Sequence, residues 1–118
     1  MTVERLIQLA LSDIGVANPT PDEYQTAFDR LNLIISSFAY WDENDQPIQS
    51  FTSLAQEIYL PPYYLECFEL MLAASEGTSY GISDSDKMYL EKKAKMLTDR
   101  LQYRQLSVGT MSPTTFVV

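Results

Sequence analysis

The first part of the chain carries an apolar stripe with clear helix-start and helix-stop residues. Apolar side chains recur at three- and four-residue steps from Val3 to Ile14, which is the period of one helix face. Thr2 is a suitable N-cap, and Gly15 can adopt the left-handed conformation that ends many helices. This pattern predicts a first helix at about residues 3–14.

The start of the second helix is the clearest local signal in the sequence. The letters TPDE at residues 20–23 form a capping box: Thr20 accepts from an early backbone N–H, and the Glu23 side chain reaches back. Pro21 fits the first helical position, because the N–H that it lacks would have no partner there. The apolar stripe that follows predicts a helix at residues 21–40.

The chain between the second and third predicted helices has no helical stripe. Residues 41–47 form a polar loop, and residues 48–60 contain two short β-prone pieces, FTS and IYL. The pattern predicts either a hairpin or an extended arm. Pro61 and Pro62 end this region.

Two further helices are predicted in the second half of the chain. Pro62 can open the third helix, which should stop near Gly77 or Gly81. The predicted face of this helix is made of Leu65, Phe68, Met71, Leu72 and Ser75. Ser83 or Ser85 can cap a fourth helix at about residues 84–105, with lysines on its outer side.

Together these patterns predict an all-α protein. We expect a small four-helix domain at residues 1–106, an extended arm between helices two and three, and an extended C-terminal arm at residues 107–118. The length of 118 residues suits a single core. The predicted core combines apolar residues from all four helices: Leu6, Ile7, Ile14, Phe28, Leu31, Ile35, Phe68, Leu72, Leu97 and Leu101.

Charge is distributed unevenly along the chain. The net charge is −8, which argues against tight binding to a phosphate backbone, since such binding needs cations. Residues 82–106 hold six of the eight basic side chains and carry +2, so the remaining residues carry −10. Copies of such a chain could join through complementary faces.

Several classes of protein are not expected from this sequence. Its apolar runs are shorter than the ~20 residues of a membrane span, so no membrane partner is expected. The N-terminus does not look like a secretory signal, because Glu4 comes early and no small-residue cleavage site follows. The single cysteine, Cys67, has no partner for an internal disulfide.

Candidate chemistry is weak. The chain has no histidine, and Cys67 is better explained as a buried, inert thiol than as a nucleophile. The acidic run at residues 42–45 lacks the glycine and the glutamate of a helix-loop-helix calcium site. Glu66 and Glu69 share a helix side, but a solvated acidic face explains them more simply than an acid/base pair. No metal or cofactor is expected.

The remaining candidate residues are of kinds that bind other proteins. Aromatic side chains bury a large area while keeping a polar group, and lysines can meet an acidic neighbour, although core packing explains one or two of the aromatics equally well. The candidate subunit interface is Trp41, Phe51, Tyr59, Tyr63, Tyr64, Lys92, Lys93 and Lys95. The candidate docking arm, without a charged side chain, includes Val108, Met111, Phe116, Val117 and Val118.

The order of these parts resembles a known protein family. The stretch LIQLALSDIGVANPTPDEYQTAFDRLNLIISSFAYW, the LPPYY before the third helix, the Tyr80-Gly81 stop, the basic helix and the uncharged tail carry the resemblance. They are similar to the head-to-tail adaptor family of tailed phages. Short-tailed-phage members of this family are called tail accessory factors or packaged-DNA stabilisation proteins.

This resemblance implies a structural virion protein that sits at the head–tail junction and is made in the host cytoplasm. Family members form a ring, typically of twelve copies, beneath the portal protein. The ring extends the DNA channel, helps retain packaged DNA, and gives downstream tail proteins a platform. DNA would pass through the channel without specific binding, and an extended C-terminal arm, here residues 107–118, would engage the portal. Some relatives have a longer C-terminal part than this chain.

Two other classes of function compete with this one. A small acidic regulatory module, such as an inhibitor or a nucleic-acid mimic, would also suit the negative charge. An enzyme that uses carboxylates would be a third class, but the sequence has no catalytic motif for it. The uncharged tail favours the adaptor, because a nucleic-acid mimic needs acidic side chains and not an adhesive end.

Overall fold

Helix α3 (Pro62–Gly77) lies at the centre of the computed structural model and packs against the three other helices. These are α1 (Val3–Asp13), α2 (Pro21–Phe38) and α4 (Asp84–Thr110). The structure describes residues 1–38 and 46–110, with Phe38 and residues 102–110 described by their backbone alone. Within that part of the chain there are four α-helices and no β-strand, so the predicted all-α, four-helix class is confirmed.

The predicted bounds of the first helix and the predicted start of the second are confirmed to within one residue, whereas the predicted end of the second helix at residue 40 lies outside the described residues. Thr2 Oγ1 accepts from the Arg5 N–H at 3.2 Å at the start of α1. At the start of α2, the Glu23 N–H donates to Thr20 Oγ1 at 3.2 Å, and the Thr20 N–H donates to Glu23 Oε1 at 2.8 Å. After α1, Gly15 has a φ of 87°, a conformation that few other residues adopt without strain.

A tight turn joins α3 to α4. Helix α3 ends at Gly77, one of the two stops that the sequence suggested, and a single 3₁₀ turn follows at Thr78–Tyr80. Gly81 then takes a φ of 70° and reverses the chain. The Asp86 N–H donates to Ser83 Oγ at 3.2 Å, so Ser83 caps the first turn of α4.

Helix α4 is longer than the sequence predicted. It runs to Thr110, so the first four residues of the predicted extended arm, 107–110, are helical. Gly109 lowers helix stability by only about 1 kcal/mol, whereas a proline blocks the helix, and the next proline is Pro113. The rest of the predicted arm, residues 111–118, lies outside the described residues.

Residues 46–61, here called the connector, cap the start of α1 with backbone carbonyls. The Val3 N–H donates to the Gln56 carbonyl at 3.0 Å, and the Glu4 N–H donates to the Leu54 carbonyl at 2.9 Å. The first N–H groups of a helix have no partner within the helix, so these bonds satisfy groups that would otherwise face water. The connector therefore packs against the helical body.

Asn32 on α2 holds the other side of the connector. Its Nδ2 donates to the Phe51 carbonyl at 3.0 Å, and its Oδ1 accepts from the Phe51 N–H at 2.8 Å. The side chains of Phe51 and Ile58 are buried in the core. The predicted hairpin is absent from the described connector, because these backbone groups bond to α1 and to Asn32.

Most of the predicted core is buried. The buried members are Leu6, Ile7, Ile14, Leu31, Ile35, Phe68, Leu72 and Leu101. The other two, Phe28 and Leu97, are only partly buried and pack against the core from its edge. On α2, Ala27 is fully buried, whereas Phe28 lies at the border of the apolar stripe.

Candidate interaction surfaces

Two residues of the predicted subunit interface belong to the core. Phe51 and Tyr64 are both buried, so little of either side chain is available to a neighbouring copy. The backbone of Phe51 is held by two hydrogen bonds to the Asn32 side chain. Tyr64 packs beside Tyr63, with 4.9 Å between ring centroids. For these two residues the interface prediction is wrong, and core packing explains their place in the sequence.

The exposed members of the predicted interface lie on two different elements, and Tyr63 is half-buried at the start of α3. Tyr59 extends from the connector with 90% of its surface exposed. Lys92 and Lys95 are exposed on α4, whereas Lys93 is half-buried, with its Nζ 5.9 Å from the centroid of the Tyr89 ring. The predicted interface is therefore divided between the connector and α4.

Five of the remaining predicted site residues lie outside the described residues. Trp41 lies outside the described residues, as do four members of the docking arm: Met111, Phe116, Val117 and Val118. Val108 falls within α4 by its backbone. The docking arm therefore stays a prediction.

Helix α4 has a second apolar side that sequence reasoning missed. Met88, Tyr89 and Met96 are exposed on α4, with exposed fractions between 45% and 68%. Together with Lys92 and Lys95, these residues form what we call the α4 outer face. The sequence signal was the four-residue spacing of Met88, Lys92 and Met96, which places them on one line along a helix.

The exposed side of α2 carries negative charge, opposite in sign to the lysines of the α4 outer face. Asp22, Asp29 and Leu33 follow one another along this side, and we call them the α2 outer face. Leu33 is 60% exposed, and Gln25 Nε2 donates to Asp29 Oδ1 at 3.0 Å. This face combines two carboxylates with one large apolar side chain.

An apolar groove of about 510 Å³ opens between α2 and α4, with α3 as its floor. Apolar groups line most of its wall, among them those of Ile34, Met71, Ala74 and Ala94. Charged residues lie at its rim, where Lys95 Nζ pairs with Asp99 Oδ2 at 3.1 Å. The groove has the size and polarity to accept apolar side chains of a partner segment.

A pair of carboxyl groups joins α1 to α3. Partial burial, followed by a hydrogen bond with Asp13 and the charges of Asp13 and Glu66, raises the pKa of Glu69 to about 8; Lys93 opposes this rise. A protonated Glu69 therefore donates to the Asp13 carboxylate near neutral pH. This arrangement stabilises the contact between the two helices but does not place an acid and a base around a substrate.

Replacing Glu69 with glutamine should flatten the pH dependence of stability. Because the folded pKa is raised to about 8 from 4.5, the favourable contribution of the proton is complete below about pH 4.5 and is lost as the pH rises to 8. At pH 8, E69Q should be more stable than wild type by about 1 kcal/mol or less, since solvent screens a half-exposed group. Chemical unfolding at several pH values measures this.

The control is the same change on an exposed carboxylate of α4, E91Q. It should keep the wild-type loss of stability between pH 5 and 8. A parallel pH profile for wild type and E69Q would show that Glu69 does not share a proton with Asp13.

A second polar cluster fastens α2 to the end of α3. Glu76 is buried, and Arg30 Nε lies 3.5 Å from its Oε1. Burial and the neighbouring carboxylate of Glu23, to which the Tyr80 hydroxyl donates, raise the pKa of Tyr80 to about 12. Arg30 and Glu23 of α2 thus each contact a group at or just after the end of α3, while the buried Glu76 Oε1 accepts no hydrogen bond among the described residues.

The described residues offer little for catalysis or metal binding. In the ranges that the structure covers, no group of three or more His, Cys, Asp or Glu side chains is placed to hold a metal ion. Cys67 is fully buried, as predicted, with its Sγ 3.6 Å from Thr98 Oγ1. No helix in the same ranges is long and apolar enough to cross a membrane.

Comparison with known proteins adds no relative. No protein-family model, no curated protein and no solved structure matches this chain.

Proposed function

We propose that this chain is a structural adaptor of the head–tail junction of a tailed phage. It binds beneath the portal protein, forms a ring with other copies, extends the DNA channel, and offers a platform to downstream tail proteins. The proposal rests on the resemblance of the ALSDIGV segment, the capped second helix and the LPPYY segment to the adaptor family. It assigns no catalytic role.

The observation that carries the proposal is the uncharged end of the sequence. Residues 107–118 contain no charged side chain and finish with Phe116, Val117 and Val118. Burying these three apolar side chains against a partner lowers the free energy of the complex. An extended segment can bind a partner through its backbone while alternate side chains fill pockets. We assign residues 111–118, after the end of α4, to the portal.

The surfaces of the body support a protein-binding role. Tyr59 and the α4 outer face present large apolar side chains to solvent, and the groove between α2 and α4 is mostly apolar. The net charge of −8 suits a channel that DNA passes through without adhering, because like charges repel phosphate. Salt-sensitive contacts are weak alone, so we expect the isolated chain to be monomeric or weakly associated, with the ring forming on the portal.

Electron microscopy of the chain mixed with the portal protein of the same phage genome tests this function. The expected result is an additional ring of density below the portal and coaxial with its channel. A portal without added density, at protein concentrations that saturate other portal ligands, would contradict the proposal. Inhibition of a nucleic-acid enzyme by the isolated chain, without portal binding, would support the acidic regulatory module instead.

A further inference from the structure

We infer that copies of this chain associate head-to-tail, with the α4 outer face of one copy against the α2 outer face of the next. The inference supplies contact faces for the ring of the proposed function, and it rests on that proposal only for closure into a ring. Its partner is a second copy of the same chain.

The α4 outer face has the composition of a contact surface. Met88, Tyr89 and Met96 are large and exposed; Met88 and Met96 lie opposite the buried side of α4, and Tyr89 lies beside that side. Methionine adapts its shape to a partner, and tyrosine buries area while keeping a hydroxyl group. A helix that packs on one side only would ordinarily be polar on the other. We therefore expect a second surface to cover the apolar side chains of the α4 outer face.

The positive charge of Lys92 indicates that the covering surface is acidic. Lys92 stands between the two methionines and makes no ion pair among the described residues. Two carboxylates and an exposed leucine on the α2 outer face offer the complement. Tyr59 is also a large exposed apolar side chain, but it lies in the connector and not on a helix side that carries two carboxylates.

The spacing of the two faces matches. Lys92 and Met96 are four residues apart on α4, and Asp29 and Leu33 are four residues apart on α2. Four residues advance a helix by about 6 Å. With the two helices parallel, Lys92 can reach Asp29 while Met96 packs on Leu33.

The inferred contact is heterologous: each copy presents its α4 outer face to one neighbour and its α2 outer face to another. A symmetric pairing of two α4 outer faces would bring Lys92 of each copy together, which like charge disfavours. A heterologous contact leaves one unused face at each end, and it therefore continues into a ring or an open chain. Because it consists of exposed charges and a few apolar side chains, it should be weak at micromolar protein and strengthen by mass action on a portal.

Sedimentation of the isolated chain over a range of concentrations, at one salt concentration, tests this inference. Wild type should grow beyond a dimer as concentration rises. K92E and D29K should each weaken association roughly 5- to 10-fold. An equimolar mixture of the two variants should recover it, because the acidic α4 of one then meets the basic α2 of the other. Circular dichroism checks that each variant is folded.

General charge repulsion predicts a different pattern. K92E changes the net charge from −8 to −10 and D29K changes it to −6, so repulsion alone would weaken the first and strengthen the second. The matched control is R5E, which makes the same change as K92E on exposed Arg5 of α1 and should associate like wild type. Three results would each overturn the inference: no recovery in the mixture, equal weakening by R5E, or a wild type that stays monomeric or stops at a dimer up to millimolar concentration.

The isolated chain is used throughout this experiment. Portal binding is measured separately, so a failure of head-to-tail association and a failure of the adaptor function give different results.

Discussion

Truncating Phe68 to alanine should lower the free energy of unfolding by about 3–5 kcal/mol. The Phe68 side chain is fully buried on α3, which contacts all three other helices. Its removal leaves a cavity that the surrounding helices can fill only in part. A domain of this size is typically stable by roughly 5–15 kcal/mol, so the variant should lose a large fraction of its stability.

Phe28→Ala is the matched control, since it deletes the same atoms from another helix. The sequence placed Phe28 in the core, where the full loss of 3–5 kcal/mol would be expected. In the structure it is only partly buried at the edge of the α2 stripe, so we expect about half that loss or less. Urea unfolding followed by circular dichroism measures both. Equal losses would mean that the two rings are equally buried.

Removing residues 111–118 should abolish portal binding and leave the melting temperature unchanged. The cut follows the last residue of α4, Thr110, so it leaves the described helices complete. The removed segment carries the apolar end and no charged side chain. Ordering such a segment costs about 1–2 kcal/mol per residue in backbone entropy, which the portal contact must exceed.

Point variants separate the apolar end from the rest of the arm. F116S/V117S/V118S should lose portal binding, whereas T114S/T115S keeps the polar character of the neighbouring positions and should bind normally. If the truncated chain melts at a lower temperature, residues 111–118 contribute to the core of their own domain. If the serine triple variant binds as well as wild type, the apolar end is not the anchor.

Local signals in the sequence predicted the helix ends well. The capping box at Thr20 and Glu23, the Thr2 cap and the left-handed Gly15 each depend on residues within four positions of one another. The helix stripes likewise predicted most of the buried residues. Such features need no knowledge of distant segments, because their energies arise within one or two turns.

Features that depend on distant segments were not predictable. Nothing near Val3 or Glu4 indicates that carbonyls fifty or more residues later cap α1. In the sequence, Asn32 looks like an ordinary polar residue of α2, although its side-chain amide fixes the position of Phe51. The Asp13 partner of Glu69 was missed for the same reason, and Glu66 was paired with Glu69 only because it is near in sequence.

The central helix also differs from its sequence prediction. A single face that included Leu65, Met71 and Ser75 was expected, yet these three are only partly buried. Leu70, Ala73 and Ala74 are buried instead, in addition to Cys67, whose burial was predicted. Helix α3 is apolar around most of its circumference, and such a helix is enclosed by neighbours on several sides. Its sequence therefore indicates burial but not which residues face each neighbour.

The proposed function requires that this chain dock onto a portal. Native mass spectrometry of the purified portal, titrated with the chain, tests it most directly by counting the bound copies. We expect a saturable complex with one copy per portal subunit, and no complex with the 1–110 truncation. A portal that binds no copies of the full chain would contradict it.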